Sequence, residues 1–61
     1  MNKEIEFFYD PESDMLEIFI GDQKKPTLFE EISRDIFEGR DEGTGELRGY
    51  KIFNLTNHKN L

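Results

Sequence analysis

Residues 27–40 read TLFEEISRDIFEGR, and whether they form a helix or strands decides the fold. Leu28, Ile32 and Ile36 recur at helical spacing, and Thr27 with Glu30 matches a capping box at a helix start. The same stretch also divides into two short strands, Thr27–Ser33 and Asp35–Asp41, both carrying β-branched and aromatic residues. Periodicity alone leans to the helix, which would make the chain α+β with residues 27–38 helical.

The flanking sequence is easier to read. Ile5, Phe7 and Tyr9 alternate with Glu4, Glu6 and Phe8, the period of a strand. Asp10-Pro11-Glu12-Ser13-Asp14 follows as a turn: Pro11 presets one dihedral and the Asp10 side chain can bond amides just beyond it. Leu16, Ile18 and Ile20 then alternate with Met15, Glu17 and Phe19, giving a second strand antiparallel to the first. Asp22 to Pro26 is a polar loop. After the ambiguous stretch, Glu42-Gly43-Thr44-Gly45 is a hairpin turn, its glycines supplying positive φ angles. Leu47, Tyr50, Ile52, Phe53 and Leu55 mark a last strand, and Gly49 breaks its alternation. Leu47 and Ile52 share a face only if a β-bulge intervenes. The chain closes on a short polar tail or helical turn. No repeat or second domain is evident, so residues 1–61 form one domain.

Apolar residues fall on both faces of such a sheet. Ile5, Phe7, Tyr9, Leu16, Ile18 and Ile20 line one. Phe8, Met15 and Phe19 point to the other, joined by Phe29 or Phe37 and by Phe53. A chain of 61 residues buries only roughly 60% of its unfolded surface. It has no cysteine to staple it. A second copy covering the face of Phe8, Met15, Phe19 and Phe53 is the expected remedy, giving a homodimer.

The net charge is −6, against the basic surface that nucleic-acid binding ordinarily needs. Residues 1–46 hold all fourteen acidic side chains and five basic ones, which leaves that stretch near −9. Residues 47–61 hold Arg48, Lys51 and Lys59 and no acid. Solubility explains the size of the charge better than its segregation. The absence of cysteine and of any long apolar run fits a cytoplasmic protein without membrane spans. Asn54-Leu55-Thr56 matches a glycosylation sequon, which carries little weight without a secretory signal.

Signals for catalysis are absent from the sequence. Asp10, Glu12 and Asp14 have the opening spacing of an EF-hand loop, but Met15 replaces its sharp-turn glycine and Gly21 its bidentate glutamate. His58 is the only histidine and has no partner for a metal or a general-base role. Ser13 and Ser33 lack a histidine and a nucleophile elbow. Gly43-Thr44-Gly45 is too short for a phosphate loop. The reading is a non-enzymatic protein with no cofactor and no metal.

Two segments resemble a known family. Tyr9-Asp10-Pro11-Glu12-Ser13-Asp14-Met15-Leu16-Glu17-Ile18 is similar to the opening of domain-of-unknown-function family 2283, whose members run from a strand through Tyr-Asp and a short acidic turn to Asp and Leu-Tyr-Ile. Asp41-Glu42-Gly43-Thr44-Gly45-Glu46-Leu47-Arg48-Gly49-Tyr50-Lys51-Ile52-Phe53-Asn54 resembles its second half, an Asp-rich turn closing on glycine before a Val-Gly-Ile-Glu-Ile-Leu strand. The resemblance spans roughly residues 3–56. Glu17 departs from the usual tyrosine, and residues 22–27 are particular to this chain. The resemblance implies a β-meander, and so strands over residues 27–41. The expected fold is then mainly β, a single antiparallel meander sheet of four to five strands. The family brings no catalytic residues. Its members are compact proteins of bacteria, archaea and phages, some of them taken as antitoxins.

Charge and resemblance together point to a small acidic binding protein that masks a basic protein partner in the manner of an antitoxin. The candidate contacts are Glu4, Glu6, Asp10, Glu12, Asp14, Glu30, Glu31 and Glu38. Two other readings are a phage-type inhibitor whose carboxylates imitate nucleic-acid phosphates, and a small metal- or ligand-binding domain centred on the Asp10–Asp14 turn.

Overall fold

A computed structural model describes residues 4–21 and 26–57. Five strands form one antiparallel sheet: β1 (Ile5–Asp10), β2 (Met15–Ile20), β3 (Thr27–Ser33), β4 (Ile36–Asp41) and β5 (Leu47–Ile52). A single 3-10 turn, Leu55–Asn57, follows. Of the polar loop read over Asp22 to Pro26, residues 22–25 lie outside the described residues, as do His58 and the end of the tail.

The strand order is β1-β2-β5-β4-β3. β3, β4 and β5 form a meander, and β5 returns to pair with β2, joining it to the first hairpin. The order is meander-like, with the β1–β2 hairpin appended at β5 rather than at β3. β1 and β3 are the two edges.

Residues 27–41 are strands, not a helix. Thr27 pairs with Asp41 and does not cap a helix. Leu28 and Ile32, two members of the helical stripe, stand 62% and 51% exposed. Asp35 makes the hairpin, at φ 63 in the left-handed region that aspartate tolerates. The deciding factor is tertiary: β4 pairs on both sides, with β3 and with β5. A helix there would leave β5 an edge.

Directly opposed residues share a face of the sheet. Ile5, Phe7 and Tyr9 oppose Ile20, Ile18 and Leu16. That face continues through Tyr50 and Ile52 of β5 to Ile36 of β4. It then becomes charged, with Glu38 and Arg40 opposite Glu30 and Leu28. We call it the aliphatic face. The other face carries Phe8, Met15, Phe19, Phe37 and Phe29 in the grouping the alternation predicts. Its rings pair edge to face, Phe8 with Phe19 at 5.7 Å and Phe37 with Phe53 at 5.5 Å. Phe29 lies over Gly39, and Lys51 Nζ sits 4.5 Å above the Phe29 ring.

The bulge expected near Gly49 is present. Gly39 pairs with Gly49 but Arg40 pairs with Leu47, leaving Arg48 as the extra residue. A bulge re-aims the side chain it carries. Here it turns Arg48 inward, where Nη2 meets Asp41 Oδ2 at 3.0 Å. Gly49 lets β5 pass so close to β2 that a Cβ there would collide with the Ile18 carbonyl.

The sheet is a single layer. Among the described residues no apolar side chain is buried; the buried polar groups are Asp41 and Arg48. The fold is held by ladder hydrogen bonds, half-buried ring contacts and this buried ion pair.

Candidate functional site

The eight acidic residues singled out from the sequence do not converge. Glu4, Glu6, Asp10, Glu12 and Asp14 lie on or beside the β1 edge. Glu30, Glu31 and Glu38 lie on β3 and β4. With strands about 4.8 Å apart, the two edges of a five-stranded sheet stand about 19 Å from each other. These are two acidic regions.

At the β1 edge, part of the charge is spent on structure. Asp10 Oδ1 accepts from the Glu12 amide at 3.0 Å and Oδ2 from Ser13 Oγ at 2.9 Å, the side-chain turn expected of an aspartate before proline. Asp14 adopts φ 54 and accepts from Tyr9 OH at 2.7 Å and from Thr56 through both its amide and Oγ1. Its main-chain carbonyl accepts from Leu55 N. Asp14 therefore latches the 3-10 turn to the first hairpin. The Tyr9 hydroxyl first, then Thr56, hold its carboxyl below the ordinary aspartate range. The same bond raises Tyr9 above the ordinary phenol value. Among the described residues, no cluster of three or more His, Asp or Glu side chains is arranged to hold a metal.

At the β3–β4 edge, Glu30 stands directly opposite Glu38. Like charges at opposed positions destabilise a sheet. Arg40 bonds one of them directly, its Nε donating to Glu38 Oε1 at 2.8 Å while Nη1 donates to the Gly45 carbonyl at 2.9 Å, and it attracts Glu30 more weakly. Glu30, Glu38 and Glu42 line an open cleft of about 240 Å³ with Arg40 and Asp41, against the exposed side chain of Leu28. Glu31 falls on the opposite face, across from Phe37.

The end of this cleft is built by Asp41. Its Oδ1 accepts from the amides of Gly43 at 2.8 Å and Thr44 at 2.9 Å. Gly45, at φ 77, closes the turn by donating to the Asp41 carbonyl at 2.9 Å. The Thr44 amide first, then Arg48 and the Gly43 amide, hold the Asp41 carboxyl down to about 2. The Glu42 amide donates to the Pro26 carbonyl, fixing the turn against the start of β3.

Glu42 and Leu28 escape a reading by charge and period. Glu42 belongs to a turn, and Leu28 counts as core under either secondary-structure reading. The signal that could have found the cleft is the cross-strand register, which places two glutamates face to face.

No family model matches this chain, and neither a curated protein nor a solved structure matches it. Among the described residues, no helix is long and apolar enough to cross a membrane.

Proposed function

We propose that this chain is a non-enzymatic acidic binding protein that engages a basic protein partner at the β3–β4 edge, in the manner of an antitoxin masking its toxin. The observation that carries the reading is the opposed pair Glu30 and Glu38, with Glu42 beside it and Leu28 exposed below. A lysine or arginine lays its aliphatic stem on an apolar surface while its head meets charge. Leu28 offers the surface and the glutamates the charge. A cation arriving there relieves a repulsion already present in the free protein, so binding is favoured by more than contact alone. The charge of the chain also steers a basic partner toward it.

The test is a pull-down from the native host with the wild type and with Glu30→Lys, at low and moderate salt. The expected result is a basic protein recovered by the wild type, weakened by salt and lost with Glu30→Lys. Recovery of no basic partner at either salt, or equal recovery by the variant, counts against the proposal. Displacement of the partner by DNA or RNA would favour nucleic-acid mimicry.

A further inference from the structure

We propose that the aliphatic face of β1, β2 and β5 is the interface for a second copy of this chain, the two sheets packing face to face as a ten-stranded sandwich. The chain exposes 4771 Å². A compact monomer of its 7.3 kDa exposes about 4,200 Å². The excess of about 600 Å² approaches the roughly 800 Å² that each partner contributes to a standard interface.

Part of this exposure falls where no charge interferes. Phe7 is 64%, Ile5 54% and Tyr9 46% exposed on β1, and the face runs on through Ile18 and Tyr50 without a charged residue.

Symmetry selects this face over its opposite. In a two-fold dimer each residue near the axis meets its own copy. Over β1, β2 and β5 the aromatic face carries Glu6 and Glu17, with Lys51 opposite Glu17, so doubling it would bury charge. That face also satisfies itself better: its rings pair edge to face, and Lys51 covers Phe29. Over β1, β2 and β5 the aliphatic face carries no charge and tolerates its own copy. Self-association thus moves from Phe8, Met15, Phe19 and Phe53 to the opposite side of the sheet. The Glu30–Glu38 cleft then falls at the rim of the sandwich, one per copy.

Sedimentation equilibrium on the full chain, with Phe7→Lys and Phe8→Lys as variants, tests the assignment. The expected result is a wild-type mass twice that of the chain. Phe7→Lys should weaken the dimer by about 100-fold or more, the penalty of a buried unpaired charge, and Phe8→Lys should leave it intact. Independently of any variant, the wild type is also examined by isotope-filtered NMR. Contacts between Ile18 methyls and the partner copy's Phe7 ring support the proposal. Intermolecular contacts from Met15 or Phe19, dissociation by Phe8→Lys alone, or a wild-type monomer with a melting temperature independent of concentration would each overturn it. The last outcome gives the face to a different partner.

Discussion

Glu30 and Glu38 face each other directly across the β3–β4 ladder, and of the two Arg40 hydrogen-bonds Glu38. Sheets ordinarily place opposite charges or apolar pairs at such positions. A local conflict of this kind is expected where function outweighs stability. Replacing Glu30 by lysine should stabilise the fold by about 0.2–1 kcal/mol through a cross-strand ion pair, while abolishing capture of a basic partner. Chemical denaturation beside the pull-down checks both halves. A variant that is less stable and still binds would contradict the role given to the pair.

Arg48 and Asp41 are the buried polar pair of the sheet. Arg48 Nε has no hydrogen-bond partner among the described residues, while Nη2 meets Asp41 at 3.0 Å and Glu46 at 3.9 Å. Arg48→Met should cost about 3 kcal/mol or more, since it strips a buried carboxylate of its cation. At this chain length that corresponds to a fall in melting temperature of roughly 12 °C or more. Differential scanning calorimetry reads it directly. A change within a few degrees would mean the pair is dispensable.

Two glycines should respond unequally to alanine. At Gly49 the added carbon meets the rigid Ile18 carbonyl, so Gly49→Ala should prevent β2 from pairing with β5 and abolish cooperative unfolding. At Gly39 the added carbon stands 2.6 Å from Phe29 Cε1, the far side of a ring that can swing away. Gly39→Ala should cost about 1–3 kcal/mol and displace Lys51 from the ring, with the fold retained. Amide chemical shifts of β2 and β5 separate the two outcomes.

Acid should unfold the chain through Asp14 and Asp41. Both carboxyls sit below their unfolded value in the folded state. Their contribution is therefore fully present above about pH 4 and is lost as pH falls toward 2, where Asp41 titrates. Asp14→Asn keeps the left-handed turn conformation but removes that titration. Its melting temperature should fall less steeply than the wild type's between pH 4 and 2. Tyr9 acts at the other end: its raised value makes its contribution present below about pH 10 and lost above. Parallel acid slopes for wild type and Asp14→Asn would refute the latch.

The first hairpin was legible because its residues alternate with period two and its turn carries Asp10, Pro11 and Asp14 in sequence. The bulge was legible because Gly49 breaks an otherwise regular alternation. Residues 27–40 were not, because Leu28, Ile32 and Ile36 satisfy helical spacing as well as strand propensity. Of the cleft, Glu30 and Glu38 were found by charge alone. Asp10 and Asp14 were named by the same criterion, yet local hydrogen bonds engage Asp10 in its turn and a long-range one from Thr56 engages Asp14.

By itself, the sequence determined local conformation and the sorting of side chains into two faces, since alternation and turn chemistry act over a few residues. Tertiary structure decided which strands became neighbours, and therefore which charges meet. That is why the opposition of Glu30 to Glu38 and the inward turn of Arg48 toward Asp41 belong to the register of the sheet. Register is a long-range property: it depends on β5 closing against both β2 and β4, which no short window of sequence contains.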